Sequence, residues 1–268
     1  LKSDLITALT KISFIGSGNV AWHLAPALDN AGYVVREVYS PNHQHAADLT
    51  DRLYQAEVKS TLDFSTSDSE IFIVCVKDAA IGEVAREIIL PEDAFLVHTS
   101  GSVALSELQY AATSNLGVFY PLQTFSKSKK VDFKSLPIFI ESNNEETSEV
   151  LLKLAHTLTS QVRKISSHER KALHVAAVFA SNFSNYMLTA AAEIMQQNSL
   201  DFEWLKPLIA ETITKSLQIG PVDGQTGPAR RGDLEILDQH MEFLQDDPQK
   251  QEVYKLISQL IIDKYQPD

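Results

Sequence analysis

Lys11 to Leu28 reads KISFIGSGNVAWHLAPAL, and this stretch decides the fold. Ile12, Phe14 and Ile15 form a short run of β-prone apolar residues. Gly16-Ser17-Gly18 follows at once, and Val20, Leu24, Ala27 and Leu28 then recur at helical spacing. A buried strand, a tight glycine turn and the start of a helix are predicted, in the form G-x-G-x-x-A with Ala21 in the third small position. Gly16 permits the turn, Gly18 lets an anion approach the backbone, and Ala21 lets helix and strand pack closely. The free N–H groups at the helix start then meet a pyrophosphate. A plain strand-to-helix turn is the bland alternative. Strand, helix and glycines together favour a dinucleotide held by Gly16, Ser17, Gly18, Asn19 and Val20.

Working outward, the same alternation continues. Strands are predicted at Tyr33–Tyr39, Ala56–Val58, Ile71–Val76, Phe95–His98, Val118–Tyr120, Pro137–Ile140 and, at an edge, Val162–Ile165. Helices are predicted at His43–Leu53, Asp78–Ile89 and Glu145–Leu158, and residues 1–10 as a helical or loose lead-in. Strands and helices alternating at this spacing imply right-handed crossovers and an α/β fold with a Rossmann-like, doubly wound parallel sheet. From Ser166 onward no strand is visible. Ser166-x-x-Glu169 is a capping-box pattern opening a helix to about Gln197. Helices follow over Phe202–Leu217, Asp233–Leu244 and from Asp247-Pro248 onward, with a glycine-rich loop over 218–232. The expected division is therefore 1–165, a dinucleotide-binding domain, and 166–268, an all-α domain for substrate and dimerisation.

Composition narrows the function classes. The 268 residues carry a net charge of −12 and only one cysteine, Cys75, which lies in the apolar run IFIVCV. No basic patch stands out, since Lys127 to Lys130 reads as a solvated loop. Nucleic acid and anionic membrane surfaces are therefore not expected partners. One cysteine excludes an intramolecular disulfide and fits a reducing, cytoplasmic setting. No apolar window is long enough to span a membrane, and no signal peptide opens the sequence. No metal site is expected, because His43 and His45, two residues apart, do not converge on one helix face.

The cofactor is read from the end of the second strand. NAD-specific sites carry Asp or Glu there for the ribose 2′-OH. Here Ser40, Asn42 and His43 stand at that place, and Glu37 lies inside the strand. A hydroxyl, an amide and an imidazole suit a 2′-phosphate, so NADP is expected, with NAD as the alternative. Val76 and Lys77 end a strand at the ligand edge and should border the nicotinamide ribose, with Asp78 as a helix N-cap.

Three stretches carry candidate chemistry. Ser100, Gly101 and Ser102 end a strand, as substrate contacts or as a turn in which Ser102 caps a helix through Leu105 and Leu108. Gln123, in the loop after Tyr120-Pro121, can reach the cleft or pack between domains. On the predicted long helix, His174, Ser181, Asn182 and Asn185 interrupt small apolar residues at i, i+7, i+8 and i+11, and so share one broad face. His174 is the candidate acid–base and Asn182 the candidate orienting group; satisfied core residues are the alternative. Thr226-Gly227-Pro228 and Arg231-Gly232-Asp233 suggest a clamp. Arg230 or Arg231 holds a substrate carboxylate, with Arg231 the candidate, or forms a structural pair with an aspartate.

FIGSGNVAWHLAPAL, VKDAAI, VHTSGS, YPLQTF, HVAAVFASNF and TGPARRGD occur in this order. Over about residues 11 to 262 the chain resembles the bacterial family of NADP-dependent oxidoreductases in which a Rossmann-like domain precedes a helical domain of unknown function. It is similar, more distantly, to pyrroline-5-carboxylate reductase, deazaflavin-dependent NADP reductases and β-hydroxyacid dehydrogenases. In the last group a Ser-Gly turn touches substrate, as Ser100-Gly101 would, and a Lys and an Asn act from the interdomain helix. Here His174 stands near the place of the Lys, and Asn182 lies two turns on.

The resulting expectation is an NADP-preferring oxidoreductase. It would transfer hydride to or from a small polar carbonyl, imine or hydroxy compound, placed by Ser100, Ser102 and Gln123 from one domain and His174, Asn182 and Arg231 from the other. A nucleotide-binding sensor or scaffold without turnover is the alternative, and a flavin or deazaflavin donor a third reading. The resemblance also implies a homodimer through the helical domain, where Ala190, Ala191 and Ala192 would permit close approach.

Overall fold

The computed structural model describes residues 10–266, so the expected lead-in lies outside the described residues except for Thr10. The chain divides into two compact units, one ending at Ser181 and the other beginning at Asn182. This division falls within the segment expected to form one long helix.

The first unit is built on an eight-stranded sheet: β1 (Lys11–Ile15), β2 (Val34–Tyr39), β3 (Glu57–Lys59), β4 (Ile71–Val74), β5 (Phe95–His98), β6 (Asn115–Pro121), β7 (Ile138–Ser142) and β8 (Val162–Lys164). Their spatial order is β3-β2-β1-β4-β5-β6-β7-β8. The order reverses between β1 and β4, the topological switch point at which open α/β sheets bind ligands. Strands β1 to β6 are mutually parallel. β7 runs antiparallel to β6, and β8 follows β7 in parallel at the sheet edge. The doubly wound reading thus holds for the six-strand core, while the apolar run of β7 carried no sign of its direction.

Strand β4 shows why the sheet is buried on both faces. Ile71 and Ile73 enter one apolar cluster with α1 (Asn19–Asn30), α2 (His43–Thr50) and α4 (Glu145–His156). Phe72 and Val74 enter another with α3 (Ile81–Glu87) and Leu108. Alternate residues point to opposite faces, so a continuous apolar run is what such a strand requires.

Two expected local features are corrected here. Asp78 does not cap a helix: it opens a 3-10 turn, Asp78–Ala80, after Lys77, and α3 begins only at Ile81. Nor does Ser102 cap one. The Ser100 hydroxyl already accepts the amides of Ser102 and Val103 at 3.1 Å each, closing a turn, and the following Leu105–Tyr110 is a 3-10 helix that starts after Ala104.

The last helix of the first unit is α5 (Ser167–Ala177), and its capping box between Ser166 and Glu169 is formed as expected. A π-helical turn, Val178–Phe183, separates it from α6 (Ser184–Gln197). A π turn winds more slowly than an α-helix. The i, i+7, i+8, i+11 count from His174 therefore does not define one face. Nor is the helix buried: of α5 only Arg170 is, while Val175, Phe179, Phe183 and Tyr186 are exposed.

The second unit is helical: α6, α7 (Lys206–Ile219), the short α8 (Pro228–Arg231), α9 (Leu234–Phe243) and α10 (Pro248–Tyr265). Asp247 caps α10 by accepting the Lys250 amide at 3.1 Å, with Pro248 in the first turn, as the sequence predicted. Asp233 precedes α9 without capping it, because its carboxylate is paired with Arg231 at 2.7 Å. Among the described residues, no helix is long and apolar enough to cross a membrane.

Candidate active site

The glycine turn after β1 is shaped by a close approach. Gly16 has φ +104°, and a Cβ there would stand 2.6 Å from the Cys75 carbonyl oxygen at the end of β4. Only glycine fits, and the turn is locked by the Gly16 amide donating to the Tyr39 carbonyl at 2.7 Å. Gly18 precedes α1 without a side-chain cap. The helix-start amides thus have no capping side chain to meet, as an anion site requires.

Beyond these strand ends lies a cavity of about 580 Å³. Gly16, Ser17, Gly18, Ser40, Val76 and Lys77 line it, as do Tyr39, His45 and Lys127, which were not expected at the cofactor. Leu62, Val76, Ala80 and Val84 give it an apolar wall suited to a flat base. The other expected cofactor residues are not among its lining. Asn19 and Val20 open α1. Asn42 caps α2, its side-chain oxygen accepting the His45 amide at 3.2 Å. His43 is the exposed first residue of that helix.

The cavity fits NADP on its own residues. Glu37, the acid nearest the end of β2, is fully engaged elsewhere: its carboxylate accepts the hydroxyls of Ser13, at 2.7 Å, and Ser67, and pairs with Lys59 at 3.4 Å. No β2 carboxylate is left to repel a phosphate at Ser40.

A second cluster sits where β5 and β6 end. Gly101 follows Ser100, and a Cβ on Gly101 would fall 2.5 Å from His174 Nδ1 and 2.7 Å from Tyr120 Cζ. The bare glycine therefore lets Tyr120 and His174 close over the turn. Tyr120 Oη and His174 Nδ1 stand 3.1 Å apart, a hydrogen bond between strand end and α5. Burial above all pushes the Tyr120 phenol above its ordinary value, with Asp78 adding to the rise and the Arg170 charge opposing it.

One turn before His174, Arg170 locks this corner together. It is 1% exposed, forms an ion pair with Glu141 at 2.9 Å and donates from Nη1 to the Ser100 carbonyl at 2.9 Å. A buried guanidinium needs such full pairing. The spacing of Arg170 and His174, i and i+4, was the signal that sequence reasoning missed. His98, wholly buried, accepts the Ser100 amide on Nδ1 at 3.1 Å. Burial first, then the Arg170 charge, press its pKa down to about 3 against the Ala104 backbone, so it stays neutral.

The structure brings Ser100, Gly101 and His174 together, with Tyr120 and Arg170 added. Ser102 contributes only its amide to the Ser100 turn. Gln123 is exposed and accepts the Thr124 amide within its own loop at 2.8 Å. Asn182 and Arg231 belong to the second unit. No group of three or more potential metal ligands occurs among the described residues.

Comparison with known proteins follows the same lines. Residues 11–100 match the model described as NADP oxidoreductase, coenzyme F420-dependent, and residues 136–261 match a domain of unknown function, DUF2520. No match to a curated protein was found. A Bacteroides fragilis protein assigned as an NADP oxidoreductase is 39% identical, with a TM-score of 0.87 over 95% of this chain and 98% of its own. A Thermotoga maritima protein is 21% identical, with a TM-score of 0.69 over 94% and 97% of the two chains. An imine reductase from Myxococcus stipitatus in complex with NADP+ shares the fold at 13% identity, with a TM-score of 0.67 over 94% and 93%. With the glycine turn, the phosphate-ready end of β2 and a relative of this closeness along nearly its whole length, the chain belongs to the family of NADP oxidoreductases whose nucleotide-binding domain is joined to the DUF2520 domain.

Proposed function

We propose that the protein is an NADP-dependent oxidoreductase acting on a small polar carbonyl, imine or hydroxy compound. The observation that carries this reading is the Tyr120–His174 pair over Gly101, at the carboxyl ends of β5 and β6, next in the sheet to the β4 end that lines the nucleotide cavity. Bound NADPH supplies hydride in the reducing direction. The protein must then supply a proton to the substrate's oxygen or nitrogen, and Tyr120 Oη is held ready to do so. A tyrosine phenol carries its proton at neutral pH, burial reinforces this here, and His174 fixes its direction through Nδ1. In the oxidising direction the pair receives the proton instead. Arg170 keeps the Ser100-Gly101 turn beneath the pair.

The test is nicotinamide absorbance during incubation with panels of carbonyl, imine and hydroxy compounds. Tyr120→Phe and His174→Ala should each lower turnover by about 10²–10⁴-fold while leaving nucleotide binding intact. Full turnover in Tyr120→Phe would sink the assignment. Nucleotide binding without turnover on any panel would favour a sensor. Asn182 and Arg231 are proposed as further substrate contacts, to be tested in the same assay.

The second unit supports a homodimer. It leaves Leu208, Ile213, Leu217, Phe243, Leu256 and Leu260 exposed, a load of apolar surface that a second copy would cover. Light scattering at micromolar concentration should give twice the chain mass, and a monomer mass would refute the pairing. The lone buried Cys75 suits a reducing, cytoplasmic setting.

A further inference from the structure

Lys127 was expected to be part of a solvated loop, yet it lines the nucleotide cavity together with Gly16 to Gly18, Ser40 and His45. Its ammonium lies 4.5 Å from the centre of the Trp22 ring, on the second turn of α1. The Arg52 guanidinium lies 4.0 Å from the same ring and also donates to the Trp22 carbonyl. Two cations thus converge on one indole. Among the described residues, neither forms an ion pair. Of the two, only Lys127 lines the cavity, so an anion held there meets an ammonium that has no carboxylate partner.

The loop that carries Lys127 is also fixed in place. His23 of α1, itself buried, is hydrogen-bonded through Nε2 to the Ser126 carbonyl at 2.9 Å. Phe125 packs on His23 and Phe133, with ring centres 5.9 and 6.2 Å apart. The ammonium is therefore held near the first turns of α1 before any ligand arrives, which lowers the cost of ordering it on binding. The cavity also holds carboxylates, Glu83 and Glu87, both from α3 and its apolar base wall. Its cations are Lys77 and Lys127.

We propose that Lys127, steadied on Trp22, binds a phosphate of NADP, closing the cavity from the loop after β6. The proposal rests on the cofactor reading above. Two phosphate groups qualify, the pyrophosphate at Gly16 to Gly18 and the 2′-phosphate at Ser40.

Calorimetric titration of NADPH and NADH against the whole protein tests it without any substrate. Lys127→Ala should weaken NADPH binding about tenfold or more, as loss of a charge-assisted contact does. Lys127→Arg should keep most of the affinity, and Lys130→Ala should match the wild type. Equal loss for NADH and NADPH assigns Lys127 to the pyrophosphate; loss confined to NADPH assigns it to the 2′-phosphate. Affinities in Lys127→Ala within twofold of wild type for both nucleotides overturn the proposal, as does equal loss in Lys127→Arg. Wild-type protein that binds neither nucleotide overturns the cofactor reading itself, and Lys127's role with it. Unchanged thermal unfolding of the variants confirms that the exposed lysine acts on the ligand rather than on folding.

Discussion

Replacing Gly101 by alanine adds a single methyl group, and its consequence can be worked out from three distances. The new Cβ would meet His174 Nδ1 at 2.5 Å, Tyr120 Cζ at 2.7 Å and His174 Cγ at 2.9 Å, where ordinary contact begins at 3.4 Å. Relief therefore needs a movement of nearly an ångström. The α5 backbone resists it, being tied by the Ser166–Glu169 capping box and by the Arg170–Glu141 ion pair. The imidazole is the softer element and must swing away, breaking its bond to Tyr120. Overpacking costs about 1–3 kcal/mol and a lost hydrogen bond about 0.5–1.5 kcal/mol. A total of about 1.5–4.5 kcal/mol follows, read as a fall in melting temperature of several degrees. Urea unfolding gives the free energy, and the NMR resonances of the His174 and Tyr120 rings show whether the bond between them has gone. The same alanine placed in a His174→Ala background should cost less, though not nothing, because Tyr120 Cζ still crowds it. A Gly101→Ala protein with wild-type stability and wild-type His174 and Tyr120 ring resonances would refute this account of the corner.

Other outcomes follow from buried groups. His98 has its pKa pressed from 6.5 to about 3 in the folded protein, so the unfolded chain binds the extra proton first. Stability is full above pH 6.5 and falls as the pH drops, by about 2 kcal/mol at pH 5. The lowered carboxylates Asp63, Asp68, Glu169 and Asp247 lose their contributions mainly below pH 5, so the difference between urea midpoints at pH 7 and pH 5 is dominated by the histidine. An unchanged midpoint would contradict its neutral burial. Burial pushes the Cys75 thiol up to about 12, leaving roughly one thiolate in 10⁴ at pH 8. A disulfide reagent should therefore label Cys75 only when the protein unfolds, and fast labelling of native protein would show that the thiol is reachable. Arg170→Ala strands Glu141 and the Ser100 carbonyl in a buried place, which should cost about 3–5 kcal/mol in urea unfolding; a loss below 1 kcal/mol would mean the corner is held by other contacts.

What could be read from the sequence was what local rules determine. The glycine turn, the both-faces-buried β4 and the capping box at Ser166 each rest on residues within a few positions of one another. What escaped it depends on distant partners. The apolar residues of β7 pair equally well in either direction, so its reversal was invisible. Tyr120 was legible only as a strand end because its partner lies on α5, and Lys127 only as an exposed lysine because Trp22 is far away in the chain. The polar count from His174 presumed regular winding, and the π turn at Val178–Phe183 removed that premise.

The ion pair between Arg170 and Glu141 also bears on where such a chain can be recombined with its relatives. Both partners lie in the stretch that matches DUF2520, which begins at residue 136 and brings β7, α4 and β8 along with the helices that follow. A crossover after residue 165 would part Arg170 from Glu141 and give a foreign helix the task of neutralising a carboxylate it never met. A crossover between residues 101 and 119 keeps this pair and the Tyr120–His174 pair intact, and asks of the foreign half a glycine at 101 and, for Arg170, only a backbone carbonyl like that of Ser100, which every residue possesses. Exchange of this region between family members should therefore succeed at the earlier seam, with the reversed strands travelling as part of the inherited block.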